Sequence, residues 1–191
     1  MAKIVIGTTN PGKIREVASI LSPLGHELNP VSLDVDETGE TIEENAKIKA
    51  LAYSKEYPDV YVICEDSGLV VPGLNNLPGP YSARFHSIVM DDNLNVTEVP
   101  KEEFTTDKTE HDKLNNERLI ELIKTIPEDK RAAYFEVCFT VAKNNTILFH
   151  TSIRVMDILL MNSVVLTVLD MIQYSLVMIL SERHMQSLIQ Q

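Results

Sequence analysis

Lys3–Gly7 is a short apolar run. It passes through Thr8-Thr9-Asn10-Pro11-Gly12-Lys13 into a helical pattern at Ile14, Val17, Ile20 and Leu21. A strand, a small-residue loop and a helix in that order commit the chain to an α/β start. The same order makes an anion site, because unpaired amides at a helix N-terminus face a ligand and Lys13 adds a point charge. The block lacks the GxxxxGK[ST] signature of a phosphate loop. An ordinary strand-to-helix turn, with Asn10 and Gly12 chosen for turn geometry, stands beside the anion-site reading.

The pattern continues. Strand signals fall at Val60–Cys64 and Tyr134–Ala142, and helical patterns at Ile42–Tyr57 and Leu114–Ile126. Alternation of this kind predicts an α/β fold. Thr41 with Glu44 three residues on matches a capping box, which leaves Glu44 a structural role. From His86 to Lys113 the chain is polar, acidic and without clear period, and reads as a loop or polar insertion.

Chemistry concentrates at Glu65-Asp66-Ser67-Gly68-Leu69 and at Leu77-Pro78-Gly79-Pro80-Tyr81-Ser82-Ala83-Arg84. Two carboxylates at the end of an apolar run suit a hard cation, and an arginine after a turn suits phosphate. Arg84 has a bland alternative as a surface ion pair. The combination predicts metal-assisted chemistry on a phosphorylated small molecule.

Composition narrows the partners. The 191 residues suit one domain with a sizeable core, and the net charge is −11. An acidic surface repels a polyphosphate backbone, so nucleic acid is an unfavourable partner, while a local basic cluster or a metal still admits a small nucleotide. Cys64 and Cys138 each sit in an apolar run and read as core thiols of a reducing, cytoplasmic compartment. Met1-Ala2-Lys3 leads straight into a strand without a signal peptide pattern.

Together these blocks resemble the inosine triphosphate pyrophosphatase family, enzymes that remove non-canonical purine nucleoside triphosphates. Ile4–Lys13 is similar to its N-terminal phosphate loop, and Glu37–Ala46 to its ETGxTFEENA block. Glu65–Leu69 is similar to its DDSGL motif, with Glu for the first Asp. Pro78–Arg84 is similar to PGxYSAR. Asn115–Leu119 and Arg131–Phe135 fit a later helix and strand. The likeness covers about residues 1–153. It implies a central mixed twisted sheet flanked by helices, with the 86–113 stretch as an insertion.

The resemblance further implies a Mg²⁺-dependent, homodimeric enzyme. It would act on inosine, deoxyinosine or xanthosine triphosphate without contacting nucleic acid or membrane. Mg²⁺ would be held by Asp66, with Asp36 or Glu37 contributing. Asp66 would serve as metal ligand or as base for the attacking water, ionised near its ordinary pKa of about 3.9. Thr8, Thr9, Asn10, Pro11, Gly12 and Lys13 would hold phosphates, and Ser67 and Arg84 would touch substrate. Attack at the α-phosphorus would release pyrophosphate and leave a monophosphate.

After Ile153 the likeness stops. The family's GFGYDP segment, the lysine after it and the Ser-His-Arg that follows are missing, and His184 takes no role. Residues 154–191 are instead rich in Leu, Ile, Val and Met. Val164–Leu180 is short for a membrane span and carries Asp170 at its middle, which costs about 2.5–3.5 kcal/mol on insertion scales. A tail anchor is therefore the weaker alternative.

The genetic code offers another account. Each codon boundary can be read as one third base plus the next two. Met171 (ATG) before Ile172 (AT-) then spells GAT, an Asp. Asp170 before Met171 spells Tyr or His. Met161 before Asn162 spells Glu, and Met178 before Ile179 spells Asp. With synonymous choices elsewhere, Met156 onward encodes GYIADE, one unresolved residue, then RGTNGFGYDPIFLGDDTFGKTYAEL. The missing motif reappears at the expected place. The expectation is a single-base deletion between the codons for Ile153 and Met156, with an out-of-frame tail and little activity in this chain. A non-catalytic nucleotide-binding remnant is the alternative.

Overall fold

The structure is a computed structural model that describes residues 2–8, 10–100 and 108–159. The tail from 160 onward, with its proposed change of frame and its alternative as an anchor, lies outside the described residues. Among the described residues no helix is long and apolar enough to cross a membrane.

The elements run β1 (Lys3–Ile6), α1 (Pro11–Leu21), β2 (Glu27–Pro30), α2 (Ile42–Glu56), β3 (Tyr61–Val71), β4 (Leu77–Pro78), β5 (Val89–Met90), β6 (Val96–Glu98), α3 (Lys108–Ile123), β7 (Ala132–Lys143) and β8 (Thr146–Leu159). The main sheet has the order β2-β1-β3-β7-β8, with β4 added on β3. β1 is parallel to β2 and β3, and β4 is antiparallel to β3, so the sheet is mixed as expected. Ile4, Val5 and Ile6 are all buried. Burial of successive residues is what a central parallel strand requires, since both its faces are covered.

The chain divides into two compact units. Residues up to Asp66 with Val137–Ile153 form the first, and Ser67–Glu136 belong to the second. The first unit's core gathers Val5, Ala50, Tyr53, Val62, Cys64 and Ala142. α2 starts with the expected capping box. Thr41 Oγ1 accepts from Glu44 N at 3.1 Å, and Glu44 Oε2 accepts from Thr41 N at 3.1 Å and Glu40 N at 2.8 Å. Glu44 is thus a cap partner.

In the second unit, Leu69, Val71, Leu74, Phe85, Leu119 and Ile123 share a core. α3 ties down the segment around Arg84. Asn115 Nδ2 donates to Ala83 O at 3.0 Å, and its Oδ1 accepts from His86 N at 2.7 Å. Arg118 Nη1 donates to the carbonyls of Phe85, His86 and Ile88 at 2.8, 2.9 and 2.8 Å.

Three expectations change. The 86–113 stretch is not a featureless loop: it holds the β5–β6 hairpin, turned by Asp91 Oδ1 accepting from Asn93 N and Asn95 N, and the start of α3. Asp91 serves that turn, which polarity alone does not reveal. β3 does not stop at Cys64 but runs on through the carboxylates to Val71. β8 was not expected. Asn144 and Asn145, at φ of 50° and 56°, make the two-residue turn that folds it onto β7.

Gly68 sits in β3 where a Cβ would lie 2.6 Å from Ser82 Oγ and against the Gly79 carbonyl. Ser82 Oγ accepts from Leu69 N at 3.0 Å and donates to Gly79 O at 2.6 Å, so it cannot move without breaking both bonds. Gly68→Ala is therefore expected to destabilise the protein by about 1–3 kcal/mol, the usual cost of overpacking. Urea unfolding checks this, and an unchanged midpoint would contradict it.

Candidate phosphate and cation site

The site is built in the first unit from the end of β1, the Glu65-Asp66 stretch within β3 and the helices beside them. β1 ends at Ile6, and Gly7 N donates to Ile63 O at 2.9 Å, which keeps the loop on β3. Gly7 is required there, because a Cβ would collide with Cys64 Sγ and press the Tyr53 ring at 3.3 Å. Thr8 Oγ1 accepts from Asn10 N at 3.2 Å, and Asn10 Oδ1 caps α1 by accepting from Gly12 N at 2.9 Å. Pro11 and Gly12 open α1, the place where proline is best tolerated. Turn geometry thus engages the Thr8 and Asn10 oxygens. Thr9 lies outside the described residues.

Lys13, two residues into α1, makes an ion pair with Glu65. Asp66, next on β3, accepts from Lys49 Nζ through Oδ1 at 3.1 Å. Lys49 Nζ also lies 3.3 Å from Glu37 Oε1. The first unit therefore joins Lys13, Glu65, Asp66, Lys49 and Glu37. Within this group Glu37 reaches Lys49. Ser67 and Arg84 belong to the second unit.

The electrostatics depart from the sequence expectation. Burial, the largest influence, pushes Asp66 up to about 6; Lys49 opposes this and the Glu37 charge adds to it. Asp66 is not an ordinary carboxyl, although it is still mostly ionised at neutral pH. Burial alone would lower Lys49, but the attraction of Asp66, Glu37 and Glu65 outweighs it and holds the ammonium above its usual range. Both shifts are upward, so both contributions to stability are lost as pH rises, each in its own range. The raised Asp66 keeps its advantage below the ordinary carboxylate range of about 4 and loses it as pH climbs through about 6. Lys49 contributes up to its ordinary range and loses that contribution only in strong alkali.

Since Lys49 is the main influence lowering Asp66, Lys49→Met is expected to move the Asp66 titration in metal-free protein upward. Carboxyl chemical shifts against pH measure this. A downward move or none would contradict the arrangement.

Lys49 was missed in the sequence reading. Its signal was available: Ile42, Ala46, Ala50 and Tyr53 form the buried stripe of α2, and Lys49 lies against that stripe with its side chain only 14% exposed. A lysine on an apolar stripe asks for a buried partner. Glu16 on α1 was missed as well; burial and the Glu65 charge raise its pKa. Cys64 and Cys138 are buried and not joined in a disulfide, and burial pushes the Cys64 thiol up to about 12, so it stays protonated.

The donor set fits Mg²⁺ on one observation. Asp66 Oδ2 is buried and has no hydrogen-bond partner among the described residues. A carboxylate oxygen in that state suits a hard cation. Among the described residues no three His, Cys, Asp or Glu side chains make a ligand set by themselves. Mg²⁺ is commonly held by one or two carboxylates plus substrate phosphates, and this site offers that number.

A mixed sheet whose β3 carboxylates pair with lysines from the flanking helices α1 and α2 is an α/β arrangement that suits phosphate and a cation. The chain matches the Ham1 family profile over residues 4–155. It is 37% identical over 147 residues to a dITP/XTP pyrophosphatase of Bacillus cereus, covering 74% of this chain and 62% of that protein. The fold is similar to a HAM1 protein of Coxiella burnetii, with a TM-score of 0.63, 24% identity, and coverage of 82% of this chain and 71% of that one. It is also similar to a nucleoside-triphosphatase, dITP/XTP pyrophosphatase, of Mycobacterium abscessus, with a TM-score of 0.58, 26% identity, and coverage of 81% and 71%. The chain belongs to the Ham1 family. It spans about 62% of the length of the Bacillus cereus relative.

Proposed function

We propose that residues 1–153 are the nucleotide-handling part of a Mg²⁺-dependent pyrophosphatase acting on inosine, deoxyinosine or xanthosine triphosphate. The carrying observation is Asp66, buried on β3, with Oδ1 on Lys49 and Oδ2 without a partner among the described residues. In this reading Oδ2 either faces the cation or accepts a proton from the water that attacks the α-phosphorus, and Lys49 orients the carboxylate through Oδ1. Lys13 exchanges its contact with Glu65 for a phosphate oxygen, with Thr8, Asn10, Pro11 and Gly12 lining the same loop; Thr9 is assigned to phosphate by the family resemblance alone. Asp66 with Glu37 or Asp36 would hold Mg²⁺, which supplies neutralisation of charge on the phosphate oxygens. Ser67 and Arg84 are assigned to substrate contacts, and the products are a monophosphate and pyrophosphate. Cytoplasmic location and a homodimer belong to the same reading.

Residues 154–191 are assigned to a shifted reading frame. The family match ends at residue 155, beside the codons between Ile153 and Met156 where the deletion is placed. Resequencing across the codons for His150–Asp157 tests this. A missing base supports it, and codons that forbid the GFGYDP reading overturn it. For the activity, the test is Mg²⁺-dependent release of pyrophosphate from inosine triphosphate by the chain with its frame restored. A frame-restored chain that binds the nucleotide without turnover would favour a binding remnant.

A further inference from the structure

The segment between β2 and α2 carries Asp36 and Glu37 and has neither helix nor strand over residues 31–39. It still places Glu37 3.3 Å from Lys49. Three of its amides are held from outside. Val31 N donates to Ile6 O at 3.0 Å, and Gly39 N donates to Asn45 Oδ1 at 2.8 Å. Between these, Leu33 N donates to Tyr53 Oη at 2.7 Å. The tyrosine hydroxyl faces the Leu33 and Val31 carbonyls at 3.4 and 3.5 Å.

Tyr53 is well suited to hold position. It is 3% exposed, in the core cluster with Val5, Val62 and Cys64, and Val31, Leu33 and Val35 pack on that cluster. Its ring lies against Gly7, at the end of β1. It is also one helical turn from Lys49 on α2, so one rigid element carries both the lysine that Glu37 contacts and the hydroxyl that anchors the Glu37 segment.

We propose that Tyr53 is a positioning residue: by accepting the Leu33 N–H, its hydroxyl holds the 33–37 segment where Glu37 reaches Lys49. The inference rests on the reading of Glu37 and Asp66 as the acidic end of a triphosphate site. An alternating apolar segment without a partner strand is otherwise free to shift along the core. A hydrogen bond to a fixed phenol sets its register.

Tyr53→Phe tests this, because it removes the hydroxyl and keeps the ring. Hydrogen exchange of the 191-residue chain is expected to quicken about tenfold at the amides of residues 33–37, the loss of roughly one hydrogen bond. The β3 amides of Val62–Cys64 should stay unchanged. Equal acceleration of both groups, or none at 33–37, would overturn the proposal. Mg²⁺-dependent binding of inosine triphosphate is the second readout, by calorimetry. Tyr53→Phe should weaken it several-fold in the native background and not at all in Glu37→Gln, since residues acting through one another are non-additive. Equal weakening in both backgrounds would also overturn the proposal. Localised exchange in a chain that binds no nucleotide would support Tyr53 as the anchor of Glu37 and count against the nucleotide reading itself.

Discussion

Restoring one base between the codons for Ile153 and Met156 is expected to raise pyrophosphate release from inosine triphosphate by roughly a thousandfold or more over the 191-residue chain. In the proposed assignment the shifted frame would replace the GFGYDP segment, the lysine beyond it and the Ser-His-Arg, which the family resemblance assigns to the purine base and the phosphates. Removing one preorganised donor from a transition state costs about 10²–10³ in rate, and here several go together. Among the described residues, both core clusters are built from residues upstream of Ile153. Val5, Val62, Cys64 and Ala142 pack within the first unit, and Leu69, Phe85 and Leu119 within the second. The substitution of the tail should therefore weaken function more than it dissolves the fold. Paired assays of the two chains under the same Mg²⁺ concentration measure the ratio. Equal rates would contradict the frame assignment.

In the frame-restored protein, Asp66→Asn is expected to lower kcat by about 10²–10⁴, the usual contribution of a positioned base. The argument is local. The substitution leaves a group of the same size on β3, so Oδ1 can still accept from Lys49. It removes the proton-accepting oxygen that has no other partner among the described residues. The pH profile follows from the direction of the shift. Burial holds Asp66 up near 6, so in metal-free protein the carboxylate form is gained as pH rises through about 6 and lost below it. A bound cation would favour the ionised form and draw that midpoint down. Asp66→Asn should remove the acid limb together with the rate. A variant that keeps full activity would place the base elsewhere.

Much of the site was legible in the chain because its parts are local. Lys3–Lys13 could be read as strand, loop and helix from apolar runs and a Pro-Gly start. Thr41 with Glu44 announced the α2 cap. What escaped depends on tertiary partners. Lys49 carries no local motif, and its role emerges only when the fold brings Glu37 and Asp66, distant in sequence, to it. β3 was expected to end at Cys64 because two carboxylates follow. It continues because Lys13 and Lys49 compensate them, while Gly68 lets Ser82 approach. β8 was hidden by a register of half-exposed residues and by attention to where the family likeness ends. Its Asn144-Asn145 turn was the available signal. The Asp91 turn, likewise, is acidic for a conformational reason and not a chemical one.

Under the proposed function, the spacing of charge in the first unit would let an acidic protein hold a polyanion. The net charge of −11 describes the whole surface, whereas the site has two lysines, each already partnered by a carboxylate. A triphosphate brought in with Mg²⁺ would replace part of that carboxylate charge on the lysines, so the entering charge would be compensated locally.

The measurement that bears most directly on this account is the fate of solvent oxygen. The frame-restored chain would hydrolyse inosine triphosphate in ¹⁸O-labelled water with Mg²⁺, and the products would be weighed by mass spectrometry. Attack at the α-phosphorus predicts one labelled oxygen in the monophosphate and none in the pyrophosphate. Label in orthophosphate, with a nucleoside diphosphate as the other product, would contradict it.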